Sequence, residues 1–128
     1  MKTITITREH MIKAALEEPL LPGSWVNLDH SHFFVHNLYL NKLGLKKEDF
    51  TADERTCPVC AVGGTFRQAL GSQFIDFSVG MYMSEENNDS YLSMLSNFFE
   101  RREWNTRQDI VDWIEENIPE DFKEEVEI

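Results

Sequence analysis

Long apolar runs are missing from this 128-residue chain. No stretch approaches the roughly 18 consecutive apolar residues that a membrane span needs, so no membrane association is expected. Cysteine is scarce, at two residues, which argues against a secreted scaffold held by disulfides. Met1-Lys2-Thr3-Ile4-Thr5 runs into charged residues with no apolar segment and no small-residue cleavage site. No secretory signal is therefore expected, and the expected location is intracellular. Repeats, low-complexity segments, a glycine-rich phosphate loop and a paired catalytic constellation are also missing, so no catalytic residue is assigned.

Positive charge is short in one part of the chain only. Residues 1–50 carry six Lys and Arg against six Asp and Glu, whereas residues 51–128 carry six against seventeen. The second part therefore accounts for the whole net charge of -11. From Asp109 to Glu127 there are nine acids and one lysine. Such a segment repels phosphates, which disfavours direct nucleic-acid binding. An acidic face instead attracts basic proteins or keeps the chain soluble. Asp112, Glu115, Glu116 and Glu120 are the candidate partner-binding residues on this reading.

Aromatics are plentiful, with nine Phe, three Tyr and three Trp, and the hydrophobic fraction is 41%. That excludes general disorder. The length suits a single domain over residues 1–128 with one core. "TITIT" at residues 3–7 alternates like a short strand. Thr7 then caps a helix in which Met11, Ile12, Ala15 and Leu16 recur at helical spacing, with His10 where a capping box prefers Glu. Pro19 ends that helix, and "PLLPGSWVN" reads as a turn-rich connection with Trp25 as a core anchor.

Residues 29–43 suit a buried helix capped by Asp29 or Ser31 and stopped by Gly44, with a strand as the open alternative. Thr56 or Cys57 is the expected cap of the next helix, with Pro58 first and Gly71 last. Val59, Val62, Phe66 and Leu70 share its face. Gly63 and Gly64 inside it cost about 1 kcal/mol each relative to Ala, so they imply close approach of a neighbour or a later helix start. "FSVGMYM" alternates Phe77, Val79, Met81 and Met83 as a half-buried strand. Asp89 or Ser90 caps a helix with the stripe Leu92, Leu95, Phe98 and Phe99. Thr106 and Asp109 open a last helix with Ile110, Trp113, Ile114 and Ile118 inward, which Pro119 ends. "FKEEVEI" alternates and is positioned to pair with "TITIT". These segments predict a mainly α, α+β domain of four or five helices with a small two- or three-stranded sheet.

Cys57-Pro58-Val59-Cys60 admits three chemical readings. Two thiolates at this spacing reach one zinc ion, and His32 and His36, one helical turn apart, would complete a tetrahedral shell. A thiol at a helix N-terminus also suits redox chemistry, although "KKEDFTADERT" upstream is not the buried strand such a pair follows. A thiol hydrolase would pair Cys60 with one of His10, His30, His32 or His36, and no spacing selects among them. The non-chemical reading is favoured: small thiols fill tight helix contacts, and cysteine is among the most buried residue types. Cys60, beside Gly63 and Gly64, is then expected to be buried and reduced without a ligand, facing the Phe98/Phe99 stripe.

The order "PGSW", "CPVCAVGGTFR", "YLSMLSNFFE" and "IVDWIEENIPEDF" resembles small uncharacterised proteins of bacteria and their phages, over most of residues 20–122. Those carry a Gly-Ser-aromatic turn, a C-x-x-C-A-V-G helix and an L-S-x-L-S/F-E helix. This chain departs from the pattern at Gly64, where Ala is expected, and in the His-rich stretch 29–43. The resemblance implies no activity and transfers no catalytic residue. It implies a phage or mobile-element source and the cytoplasm of a bacterial host. The leading functional expectation is a small acidic protein that docks on a host or phage protein, with nucleic-acid mimicry as one manner of docking. The alternative is a zinc- or thiol-dependent enzyme or sensor centred on Cys57 and Cys60.

Overall fold

A computed structural model describes residues 2–20, 59–77, 79, 82, 83 and 90–127. The expectations for Trp25, for residues 29–43 and for Thr56, Cys57 and Pro58 lie outside the described residues. Strand β1 (Thr3–Thr7) runs straight into helix α1 (Arg8–Glu17). Helix α2 (Ala61–Leu70) continues into a 3-10 helix (Gly71–Asp76). Helix α3 (Tyr91–Glu100), helix α4 (Arg107–Asn117) and strand β2 (Lys123–Glu127) complete the order. Four α-helices and one antiparallel two-stranded sheet among the described residues make the fold α+β and mainly helical.

Local chemistry explains most of the boundaries. Ser90 accepts from the Ser93 amide at 3.1 Å and so opens α3. Thr106 and Asp109 exchange bonds as a capping box at the start of α4. Pro19 forces Glu18 into extended backbone, ψ 147°, which ends α1. Gly71 takes φ 58° to stop α2, a conformation that costs a residue without Cβ little.

His10 replaces the glutamate of a capping box. Its Nδ1 accepts the Thr7 amide proton at 3.0 Å, so the neutral ring carries its own proton on Nε2. Burial holds its pKa below the ordinary 6.5; Lys13 acts in the same direction and Glu9 opposes it. The unfolded chain therefore takes up a proton first as pH falls through about 6.5, and folded stability declines from there downward. We expect wild type to lose stability between pH 7 and 5 relative to His10→Gln, which keeps the acceptor without titrating. Urea unfolding across that range reads it, and parallel pH profiles would refute the cap.

β1 and β2 pair in the register Ile4↔Val126 and Ile6↔Glu124. Their inner face is apolar except for Glu124, whose carboxylate accepts the Tyr82 hydroxyl proton at 2.7 Å. A two-stranded sheet is marginal alone, and this one is held by the helices it packs against. Val126 and Ile6 join Met11, Val62, Phe66, Leu92, Leu95, Phe99, Ile110 and Ile114 in one core.

α2 is buried on every side from Ala61 to Arg67, as a helix apolar nearly all round must be. A Cβ on Gly64 would lie 3.1 Å from Glu18 Cγ and 3.2 Å from Ala14 Cβ. The close neighbour at Gly64 is therefore α1, not the Phe98/Phe99 stripe. α1 and α4 are tied at both ends by arginines that donate to the carbonyls of helix C-termini. Arg107 donates to Ala15 O at 2.9 Å and Glu18 O at 2.8 Å, and Arg8 donates to Ile118 O at 3.3 Å. Cations suit those partly negative ends.

Three expectations need correction. The helix expected to begin at Pro58 begins at Ala61, because Cys60 holds extended backbone (ψ 173°) and itself supplies the cap. Val59 sits ahead of it in a parallel bridge to Leu20, its amide donating to Pro19 O at 2.8 Å. The strand over "FSVGMYM" is not formed: Val79, Tyr82 and Met83 have helical backbone. Phe66 explains why, since Phe77 stacks on it at 5.3 Å and Tyr82 meets it edge-on at 5.4 Å. Residues five apart in a strand point to opposite faces, so an extended segment could not bring both rings to Phe66. Leu16, expected inward, is 48% exposed.

Candidate functional site

α4 is amphipathic in a way that separates its two jobs. Ile110, Val111 and Ile114 enter the core, and Ile118 follows them. Asp112, Glu115 and Glu116 lie on the outer side and are exposed, and Glu120 is exposed in the turn that follows. Asp112 and Glu116 are one turn apart on the same face. Asp112 also accepts from Gln108 Nε2 at 2.8 Å. All four sequence-predicted acids are thus exposed on α4 or in the turn after it. Surface carboxylates placed this way create a negative field that recruits cationic side chains and repels phosphates.

Around the circumference of α4 from the acids the surface changes character. Trp113 is half-buried and stacks on Phe98 of α3, with ring centroids 4.5 Å apart and planes at 10°. Tyr91 and Met94 on α3 are each 37% exposed. Tyr91 meets Phe122 edge-on at 5.6 Å, which ties the start of α3 to the segment after α4. Sequence reasoning placed Phe98 and Trp113 in the core and passed over Tyr91 and Met94. Their spacing with Phe98, i, i+3 and i+7, was the available signal.

Of the proposed zinc set, Cys60 alone lies among the described residues; Cys57, His32 and His36 lie outside them. Cys60 is 2% exposed. Its Sγ accepts the Gly63 amide proton at 3.3 Å, the bond that caps α2. Burial pushes the thiol up to about 12, Glu100 adds to the shift, and the Gly63 amide works against it. A thiol in that state is a packing group and a cap, not a nucleophile. Among the described residues no group of three His, Cys, Asp or Glu is arranged to hold a metal ion.

These features predict the behaviour of Cys60. In a Cys57→Ser background, a thiol reagent at pH 8 should label Cys60 only as fast as the protein unfolds. Cys60→Ala should cost about 1 kcal/mol from a small cavity and a lost cap, and Cys60→Leu about 1–3 kcal/mol from overpacking. Labelling of the folded protein at the rate of a free thiol would refute this placement.

Among the described residues no helix is long and apolar enough to cross a membrane. Comparison with protein families, with curated proteins and with solved structures gives no match to this chain. The site must be read from its own geometry.

Proposed function

We propose that this protein is a binding module that docks on a protein of its bacterial host or phage, acting in the cytoplasm through the acidic outer face of α4. The observation that carries this reading is the exposure of Asp112, Glu115 and Glu116 on a helix whose opposite face is buried, with Glu120 exposed in the turn that follows. A net charge of -11 that arises wholly within residues 51–128 supports it. Carboxylates in this arrangement offer phosphate-like charge to a protein with a cationic surface, such as one that handles nucleic acid.

The test is capture from host lysate at low and moderate salt, with wild type beside a variant in which all four acids are Gln. Binding that falls with salt and is lost in the Gln variant is the expected result. Equal capture by the two proteins would remove the charge-based reading.

A further inference from the structure

The α3 surface next to the acidic face has a composition that solvent does not require. Tyr91, Met94 and Phe98 lie at i, i+3 and i+7, so they form one continuous stripe beside the buried Leu95. It is about 10 Å long at the rise of an α-helix. Trp113 extends it onto α4 through its stack with Phe98. Its two exposed members, Tyr91 and Met94, are aromatic and adaptable, the kinds of side chain that interfaces concentrate.

Charge surrounds the stripe unevenly. On α4, Asp112 precedes Trp113 and Glu116 follows it by one turn, both exposed. At the Tyr91 end, Phe122 carries the chain on from exposed Glu120 and Asp121. Arg101 and Arg102 lie past the far end of α3 and are exposed. The long α4 edge is therefore acidic, and among the described residues the nearby basic side chains lie at the two ends of α3, Arg101 and Arg102 at one and Lys123, next to Phe122, at the other. The half-exposed Trp and Tyr rings add negative π faces that attract Lys and Arg when they are desolvated.

Building on the acidic-face reading, we infer that the α3–α4 surface is the docking site for a basic amphipathic helix of the partner protein. Apolar anchors of that helix at i, i+3 or i+4, and i+7 lie along Tyr91, Met94 and Phe98. Its Lys and Arg side chains line the edge formed by Asp112 and Glu116 and stack over Trp113. This is recognition of an amphipathic helix by an apolar stripe, with an acidic rim that rejects helices of the wrong charge.

A displayed library of 18-residue segments, selected on the full-length protein and counter-selected on Met94→Glu, tests the inference. Enriched sequences should combine helical apolar periodicity with Lys or Arg. Against one such peptide, Met94→Glu should weaken binding by about tenfold or more, the scale of an interface hot spot, while Met94→Leu keeps it. Asp112→Lys with Glu116→Lys should weaken binding more than Glu125→Lys with Glu127→Lys, the same charge change on the outer face of the sheet. Circular dichroism confirms that each variant is folded.

No enrichment, enrichment of acidic or aperiodic segments, or full binding by Met94→Glu would overturn the inference. If basic peptides bind Met94→Glu normally yet are lost on charge reversal at Asp112 and Glu116, the acidic-face reading stands and the stripe fails. If Met94→Glu abolishes binding and the charge reversal does nothing, the basic partner and the acidic-face reading fall together.

Discussion

Glu18→Ala is expected to lower the stability of the protein by about 3–5 kcal/mol, the range for breaking a buried ion pair from one side. Glu18 caps α1 and is 8% exposed, and Arg67 on α2 is 7% exposed. Arg67 Nε donates to Glu18 Oε1 at 2.5 Å, and Gln68 Nε2 donates to Oε2 at 2.6 Å. The Phe74 ring lies 5.7 Å from the guanidinium carbon. Removing the carboxylate takes from the bonded guanidinium nitrogen the counter-charge that Glu18 supplies in a low-dielectric interior, and the Phe74 ring is no substitute for it.

Arg67→Met should cost less, because Gln68 still bonds Glu18 and the methionine refills much of the volume. The double change Glu18→Ala with Arg67→Met is expected to cost well under the sum of the two single changes, since desolvation of both charges disappears with their attraction. Urea unfolding of the four proteins decides the matter. Single costs under about 1 kcal/mol, or a double cost equal to the sum of the singles, would show that the pair is not a coupled unit.

Trp104→Ala is the second large effect, at about 3–5 kcal/mol. Trp104 is 2% exposed and lies flat on Phe99, with centroids 5.1 Å apart and planes at 8°. Its Nε1 donates to Phe99 O at 2.9 Å, a carbonyl at the end of α3 that has no partner in the helix ladder. Arg102 turns the chain there with φ 61°, so the stacked ring closes the corner between α3 and α4.

Trp104→Phe separates the parts of this contact. It keeps the stack and loses the N–H, but Phe99 O still accepts the Arg102 amide proton at 3.2 Å. A cost of about 1–2 kcal/mol is expected for the lost donor and the smaller ring. Thermal and urea unfolding rank the two variants. If Phe costs as much as Ala, the hydrogen bond rather than the ring holds the corner. Because the corner sets α3 beside α4, Trp104→Ala should also weaken binding of a peptide that spans both helices.

The candidate site was legible in part. Asp112, Glu115, Glu116 and Glu120 could be named from charge counting and from the periodicity of Ile110, Ile114 and Ile118, which sends them outward. Tyr91 and Met94 were passed over because a large apolar residue beside a buried stripe is usually core. Which flank of α3 is covered depends on where α4 lies, and no local pattern states that. The zinc reading of Cys60 was chemically sound as spacing, but spacing does not report that the thiol sits in the interior with an amide on its sulfur.

What the sequence by itself determined is local. Thr7, Ser90 and Thr106 mark helix starts, and Pro19, Gly71 and Pro119 mark stops, because each acts through bonds or backbone sterics within about four residues. The alternation in "TITIT" and "FKEEVEI" likewise decides their faces before they meet. Tertiary structure alone decided that α1 closes on Gly64, that Glu18 finds Arg67, and that Phe66 gathers the rings of Phe77 and Tyr82 around itself. It also moved the start of α2 to Ala61, since Val59 is drawn out to bridge Leu20. These are contacts between residues far apart in sequence, selected by how whole helices pack, and close packing of their surfaces is a property no single segment contains.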